Sequence, residues 1–99
     1  MPGPTPLSLF GAEIVPHVGG YPEDVAMLVF ACPRNHSGHH HQHGIPFRDG
    51  PARYEQVGGR KTPIWHREAG STPDDLTLSP SYDNPCLHAF VRAGKLEIL

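Results

Sequence analysis

Long apolar runs are missing from this 99-residue chain. The longest, VAMLVFAC at residues 25–32, falls well short of the roughly 20 residues a membrane-spanning helix needs. The opening MPGPTPLSLF has neither the positive flank nor the apolar stretch of a signal peptide. With neither signal peptide nor transmembrane segment, the cytoplasm is the expected place of synthesis. Cysteine is scarce as well. Cys32 and Cys86 are the only two, too few for a disulfide framework. Charge of one sign is also lacking: 8 Lys and Arg against 10 Asp and Glu leave a net charge of −2. That is not the basic footprint by which a protein holds a nucleic-acid backbone, so no direct nucleic-acid partner is expected.

Catalytic motifs are equally absent. No His-Glu-x-x-His run, phosphate-cradling glycine loop or nucleophile elbow occurs. Ser79, Ser81 and His66 supply the letters of a hydrolase triad without its spacing, and Asp74-Asp75 after Thr-Pro reads as a turn. No catalytic residue and no organic cofactor site is assigned, and the chain is expected not to be an enzyme.

Proline and glycine, by contrast, are abundant at 12 and 11 residues. They cut the chain into pieces too short for long helices. Residues 25–32 have the length and β-branched content of a buried strand ended by Pro33. ARYEQV-GGRK-TPIWH outlines a hairpin turning at Gly58-Gly59, LTLSPS a short strand stopped by Pro80, and CLHAFV-RAGK-LEIL a closing hairpin. The expected fold is all-β: a small sheet or sandwich of short strands and hairpins with long loops. Residues 1–24, with alternating prolines and no periodic apolar face, are expected to be an extended arm. Residues 25–99 are expected to form the β domain.

With 37% hydrophobic residues such a domain has a lean core, and domains of this size commonly add a metal or a disulfide. Histidine supplies the means. Five of the chain's eight fall between residues 36 and 43, as His36, His39, His40, His41 and His43. Cys32 ends the apolar strand just before them. On the strand from Cys86, alternation places Cys86, His88 and Phe90 on one face and Leu87, Ala89 and Val91 on the other. Cys32, His43, Cys86 and His88 therefore make a candidate tetrahedral set, with His36 as substitute ligand and His39 to His41 solvated. Mixed Cys/His coordination favours Zn²⁺. Two other readings stay open: buried thiols beside a solvated histidine loop, and a Cys32–Cys86 disulfide.

The order VFACP, HGIPF, Trp65, LTLSPS and CLHAFVRAGKLEIL resembles a small family of phage and bacterial proteins. In that family a Cys-Pro loop ends in His-x-Ile-Pro and is followed by a Trp. A Thr-x-Ser-Pro-Ser segment and a hairpin with Cys-x-His-x-Phe-x-Arg-x-Gly complete the pattern. The resemblance covers residues 28–99 and is strongest over 76–99. It departs where many members carry a second cysteine and this chain has Asn35 and His36. It implies metal positions at Cys32, His43, Cys86 and His88, a metal-stabilised β fold and a phage origin. The function expected on that basis is structural: a virion accessory (minor capsid, decoration or cement protein) that docks on a protein assembly and passes from host cytoplasm to virion. Capsid proteins or further copies of the chain would be its partners. The alternatives are a zinc-dependent hydrolase using Glu55, His66 or Asp83 as base, and a metal-stabilised adaptor or regulator of host factors.

Overall fold

The computed structural model describes residues 4–33 and 41–99, so Asn35, His36, His39 and His40 lie outside the described residues. Regular structure among those described is nine β-strands and one short 3₁₀ helix. The strands β1 (Thr5–Pro6), β2 (Glu13–Val15), β3 (Ala26–Ala31), β4 (Gln42–Arg48), β5 (Arg53–Val57), β6 (Arg60–Ala69), β7 (Thr77–Asn84), β8 (Leu87–Arg92) and β9 (Lys95–Ile98) form a curled open sheet in the order β1-β9-β8-β7-β6-β4-β3-β2, with β5 attached to β6 alone.

The apolar run becomes β3 (Ala26–Ala31), which pairs antiparallel with β4 (Gln42–Arg48) from Ala26↔Phe47 to Ala31↔Gln42. Alternation along the two strands buries Leu28 and Phe30 of β3 on the same face as His43, Ile45 and Phe47 of β4. β5 (Arg53–Val57) and β6 (Arg60–Ala69) are the expected hairpin. Gly58 and Gly59 take φ of 57° and 78°, the left-handed pair that a tight hairpin turn demands. β6 also meets β4 in parallel at Phe47↔Trp65 and Arg48↔His66. β7 (Thr77–Asn84), β8 (Leu87–Arg92) and β9 (Lys95–Ile98) complete an antiparallel meander.

The turn between β8 and β9 shows why one glycine is required. Gly94 has φ 76°, and a Cβ there would stand 2.1 Å from the carbonyl oxygen of Asp74. Its N–H donates to the Leu76 carbonyl at 2.9 Å, and its own carbonyl accepts from the Leu7 N–H at 2.9 Å. The Thr-Pro-Asp-Asp stretch is a turn, as its residue types suggest. Asp75 accepts hydrogen bonds from the N–H groups of Ser71 and Thr72 and from the Thr72 hydroxyl.

Two expectations need correction. Pro80 does not stop its strand, because β7 runs through it to Asn84. The β7–β8 register shifts between Leu78 and Tyr82, so the missing N–H falls where ladder pairing is interrupted anyway. The larger correction concerns the N-terminal segment, which is part of the sheet and not an arm. β1 (Thr5–Pro6) pairs with β9, and β2 (Glu13–Val15) pairs with β3. Between them the 3₁₀ helix Leu7–Phe10 places Leu7, fully buried, in the main core. The segment thus joins the two ends of the strand order, and it does so because the sheet curls. Strands of two and three residues carry no readable period, which is why alternation could not reveal them.

The core fills the inside of this curl. Leu7, Leu28, Phe30, Ile45, Phe47, Trp65, Leu76, Leu78, Tyr82, Leu87, Ala89, Val91 and Leu96 form one cluster, with Ile14 of β2 packed against it. No helix among the described residues is long and apolar enough to cross a membrane.

Candidate metal centre

Pairing in the β3–β4 hairpin continues one step past the strands. The Cys32 N–H donates to the His41 carbonyl at 2.9 Å, which makes Cys32 and His41 neighbours across the two chains. Residues two apart on a strand share a face. His41 therefore shares a face with His43, Ile45 and Phe47, and Cys32 with Phe30 and Leu28; the opposed pairs Leu28↔Ile45 and Phe30↔His43 make these one and the same face. The hairpin thus presents three donors together at the end of its buried face.

The fourth comes from the other side of the curl. Cys86 lies in the turn between β7 and β8, fixed by its N–H donating to Asn84 Oδ1 at 2.8 Å. Its Sγ stands 3.4 Å from Cys32 Sγ, 3.2 Å from His41 Nε2 and 3.8 Å from His43 Nε2. No disulfide joins the two cysteines. The ligand atoms of Cys32, His41, His43 and Cys86 all lie within 4.8 Å of one another, and the four side chains could hold a metal ion. His43 is buried, both cysteines are partly exposed and His41 is exposed, so the cluster sits at the rim of the core.

His43 is held from behind. Its Nδ1 stands 3.0 Å from the Tyr82 hydroxyl, and Tyr82 Oη accepts a bond from Asn84 Nδ2 at 3.1 Å. With Nε2 as a metal ligand, Nδ1 would carry the proton and its N–H would donate a hydrogen bond to the Tyr82 oxygen. A histidine that ligates through one nitrogen is commonly fixed through the other in this way. Burial pushes the Tyr82 phenol above its ordinary pKa; the Asn84 bond acts against this, and the nearby Cys86 and Cys32 sulfurs act with it. The same Asn84 amide binds the Cys86 N–H through its oxygen and Tyr82 through its nitrogen. One side chain thus braces two members of the cluster. The ring of His43 also packs between Phe30 and Tyr82, at centroid distances of 5.5 Å to each. Tyr82→Phe keeps this packing and removes the bond, so it is expected to weaken metal affinity about 10- to 100-fold while leaving the fold intact. Competition with a chelator of known affinity measures it.

The structure brings together three of the four residues selected from sequence, Cys32, His43 and Cys86, and replaces His88 by His41. His88 is exposed on the opposite face of β8 from Leu87, Ala89 and Val91, and its Nε2 lies 3.3 Å from the Ser81 hydroxyl. Cys86 belongs to the turn, so the alternation of β8 does not extend back to it. His41, expected to be solvated, stands one residue before β4 and two before His43. Strand alternation back from Ile45 reaches His43 and then His41. The substitute ligand His36 falls outside the described residues.

The bases considered for a hydrolase are elsewhere. Glu55 pairs with Arg48 at 2.8 Å and with Arg53 at 2.6 Å, and His66 Nδ1 lies 2.8 Å from the Gly50 carbonyl. Asp83 lines a separate cavity of about 460 Å³, together with Tyr54, Trp65, Pro80 and Ser81. Comparison with protein-family models, with curated proteins and with solved structures gives no match to this chain.

Proposed function

We propose that the chain is a zinc-stapled β domain whose metal serves folding and whose work is to present a surface to a protein assembly. The observation that carries the zinc reading is the spacing of the four donors. Tetrahedral zinc with Zn–S near 2.3 Å and Zn–N near 2.05 Å requires donor separations of about 3.3–3.8 Å. The separations around Cys86 Sγ run from 3.2 to 3.8 Å, close to that range, and all four donors lie within 4.8 Å of one another. Two thiolates and two imidazoles select zinc over the hard cations that prefer oxygen. Four protein ligands complete the shell, which favours a structural role over one with an open position for water. The ligands Cys32, His41 and His43 come from one hairpin and Cys86 from another, so the ion ties together elements that the sheet separates.

What supports the wider reading, an accessory protein of a phage particle, is the sequence resemblance over residues 28–99. Its test is fixed stoichiometry with purified particles. The zinc reading is tested first and alone. Protein purified without added metal is expected to carry close to one zinc per chain by elemental analysis, and Cys86→Ser to carry almost none. Wild-type zinc content in both Cys32→Ser and Cys86→Ser would overturn it.

A further inference from the structure

Cys32 and Cys86 can form more than one kind of cross-link. We propose that they are a redox-switched pair: as thiolates they hold the metal, and on oxidation by a peroxide they join as a disulfide that expels the metal and replaces its tie. The reduced half of this rests on the zinc reading above.

Geometry favours the exchange. The sulfurs stand 3.4 Å apart, and a disulfide needs about 2.05 Å, so the approach required is about 1.4 Å. Neither residue lies within a strand. Cys32 follows the last residue of β3, and Cys86 occupies the turn before β8. Each can rotate its side chain without shifting a sheet register. Both are partly exposed, and His41 beside them is exposed, so a small oxidant reaches the sulfurs from solvent. Cys86 Sγ also contacts both imidazoles, at 3.2 and 3.8 Å.

The chemistry balances with peroxide as the named oxidant. The Cys86 thiolate attacks hydrogen peroxide, the O–O bond breaks, and Cys86 becomes a sulfenic acid with release of hydroxide. Cys32 then attacks that sulfur, the S–O bond breaks, and the oxygen leaves as water once protonated. The two cysteines lose two electrons, the peroxide gains them, and the metal departs with two of its four ligands gone. The new bond closes the chain between residues 54 positions apart, the same two hairpins that the ion had tied. The metal and the disulfide are then successive states of one staple, suited to reducing and oxidising surroundings in turn.

The experiment uses the full zinc-loaded chain with about one equivalent of hydrogen peroxide and a chromogenic zinc chelator. The expected result is release of the bound zinc and an apoprotein mass lower by about 2 Da than the reduced form. A non-reducing digest should contain the peptide linking residues 32 and 86, and dithiothreitol with zinc should restore the starting state. Cys32→Ser should show oxygen addition at Cys86 and no intramolecular link. Zinc-loaded wild type that gains only oxygen atoms, or forms only intermolecular dimers, overturns the switch and leaves the zinc reading standing. Protein that never carries zinc yet forms the 32–86 bond overturns the zinc reading and with it the exchange, keeping only the pair.

Discussion

On the zinc reading, stripping the metal with a strong chelator under reducing conditions is expected to lower the melting temperature by roughly 12–24 °C. Structural zinc adds on the order of 10 kcal/mol in peptides that have no other core. This chain has a core, so only part of that appears as stability. Even about 3 kcal/mol corresponds to roughly 12–24 °C in a domain of this size. The variants should divide sharply. His41→Ala and His43→Ala are expected to lose zinc and to melt near the chelated wild type. His88→Ala, on the exposed face beside Ser81, should melt within about 2 °C of wild type, as surface substitutions do. Thermal unfolding at matched zinc concentration reads all three. Acid should act in the same direction as chelation, because thiolate and neutral imidazole are the binding forms and protons compete for them. A smaller contribution comes from Asp75, whose carboxyl is held below its ordinary pKa, first by the Thr72 backbone N–H and then by the Thr72 hydroxyl. Its folded value is depressed, so its stabilisation is present above the ordinary carboxylate range and is lost as pH falls through the folded value.

Removing Leu7 is the second large effect. The side chain is fully buried in the main cluster, and its N–H is bonded to the Gly94 carbonyl. Leu7→Ala is expected to cost about 2–5 kcal/mol, since a curl filled from several strands cannot collapse around one missing side chain. Deleting residues 1–15 removes Leu7 together with β1 and β2, and exposes the backbone edges of β9 and β3. The truncated chain is expected to lose cooperative unfolding even with zinc saturating. Denaturant titration of both forms measures this, and a truncated chain with wild-type midpoint would show that the segment is dispensable.

The strands that could be read from sequence are those whose pattern is local. Residues 26–31 carry a dense apolar run, and the hairpins at Gly58-Gly59 and Ala93-Gly94 carry turn chemistry that names them directly. The thiols of Cys32 and Cys86 and the ring of His43 were legible for a related reason: each stands where an apolar segment meets a polar loop. What escaped was set by contacts distant in sequence. β1 and β2 exist because β9 and β3 offer them edges, not because of any period of their own. Choosing His41 over His88 likewise depended on where pairing begins in β4 and where it ends before β8. A slip of one residue there exchanges the two faces of a strand.

The pairing of Thr5 with Leu96 also bears on the order in which the chain can fold. Synthesis runs from the N-terminus, so Leu7 leaves the ribosome long before the strand that shelters it has been made. The β3–β4 and β5–β6 hairpins need only local contacts and can close while the chain is still growing. The N-terminal segment has no such option, because its two partners are separated by most of the chain. Until residues 95–98 emerge, the curl stays open, with its inner face and both edges accessible to other chains. Slow synthesis of the segment that supplies residues 95–98 should therefore prolong the interval in which aggregation competes with folding.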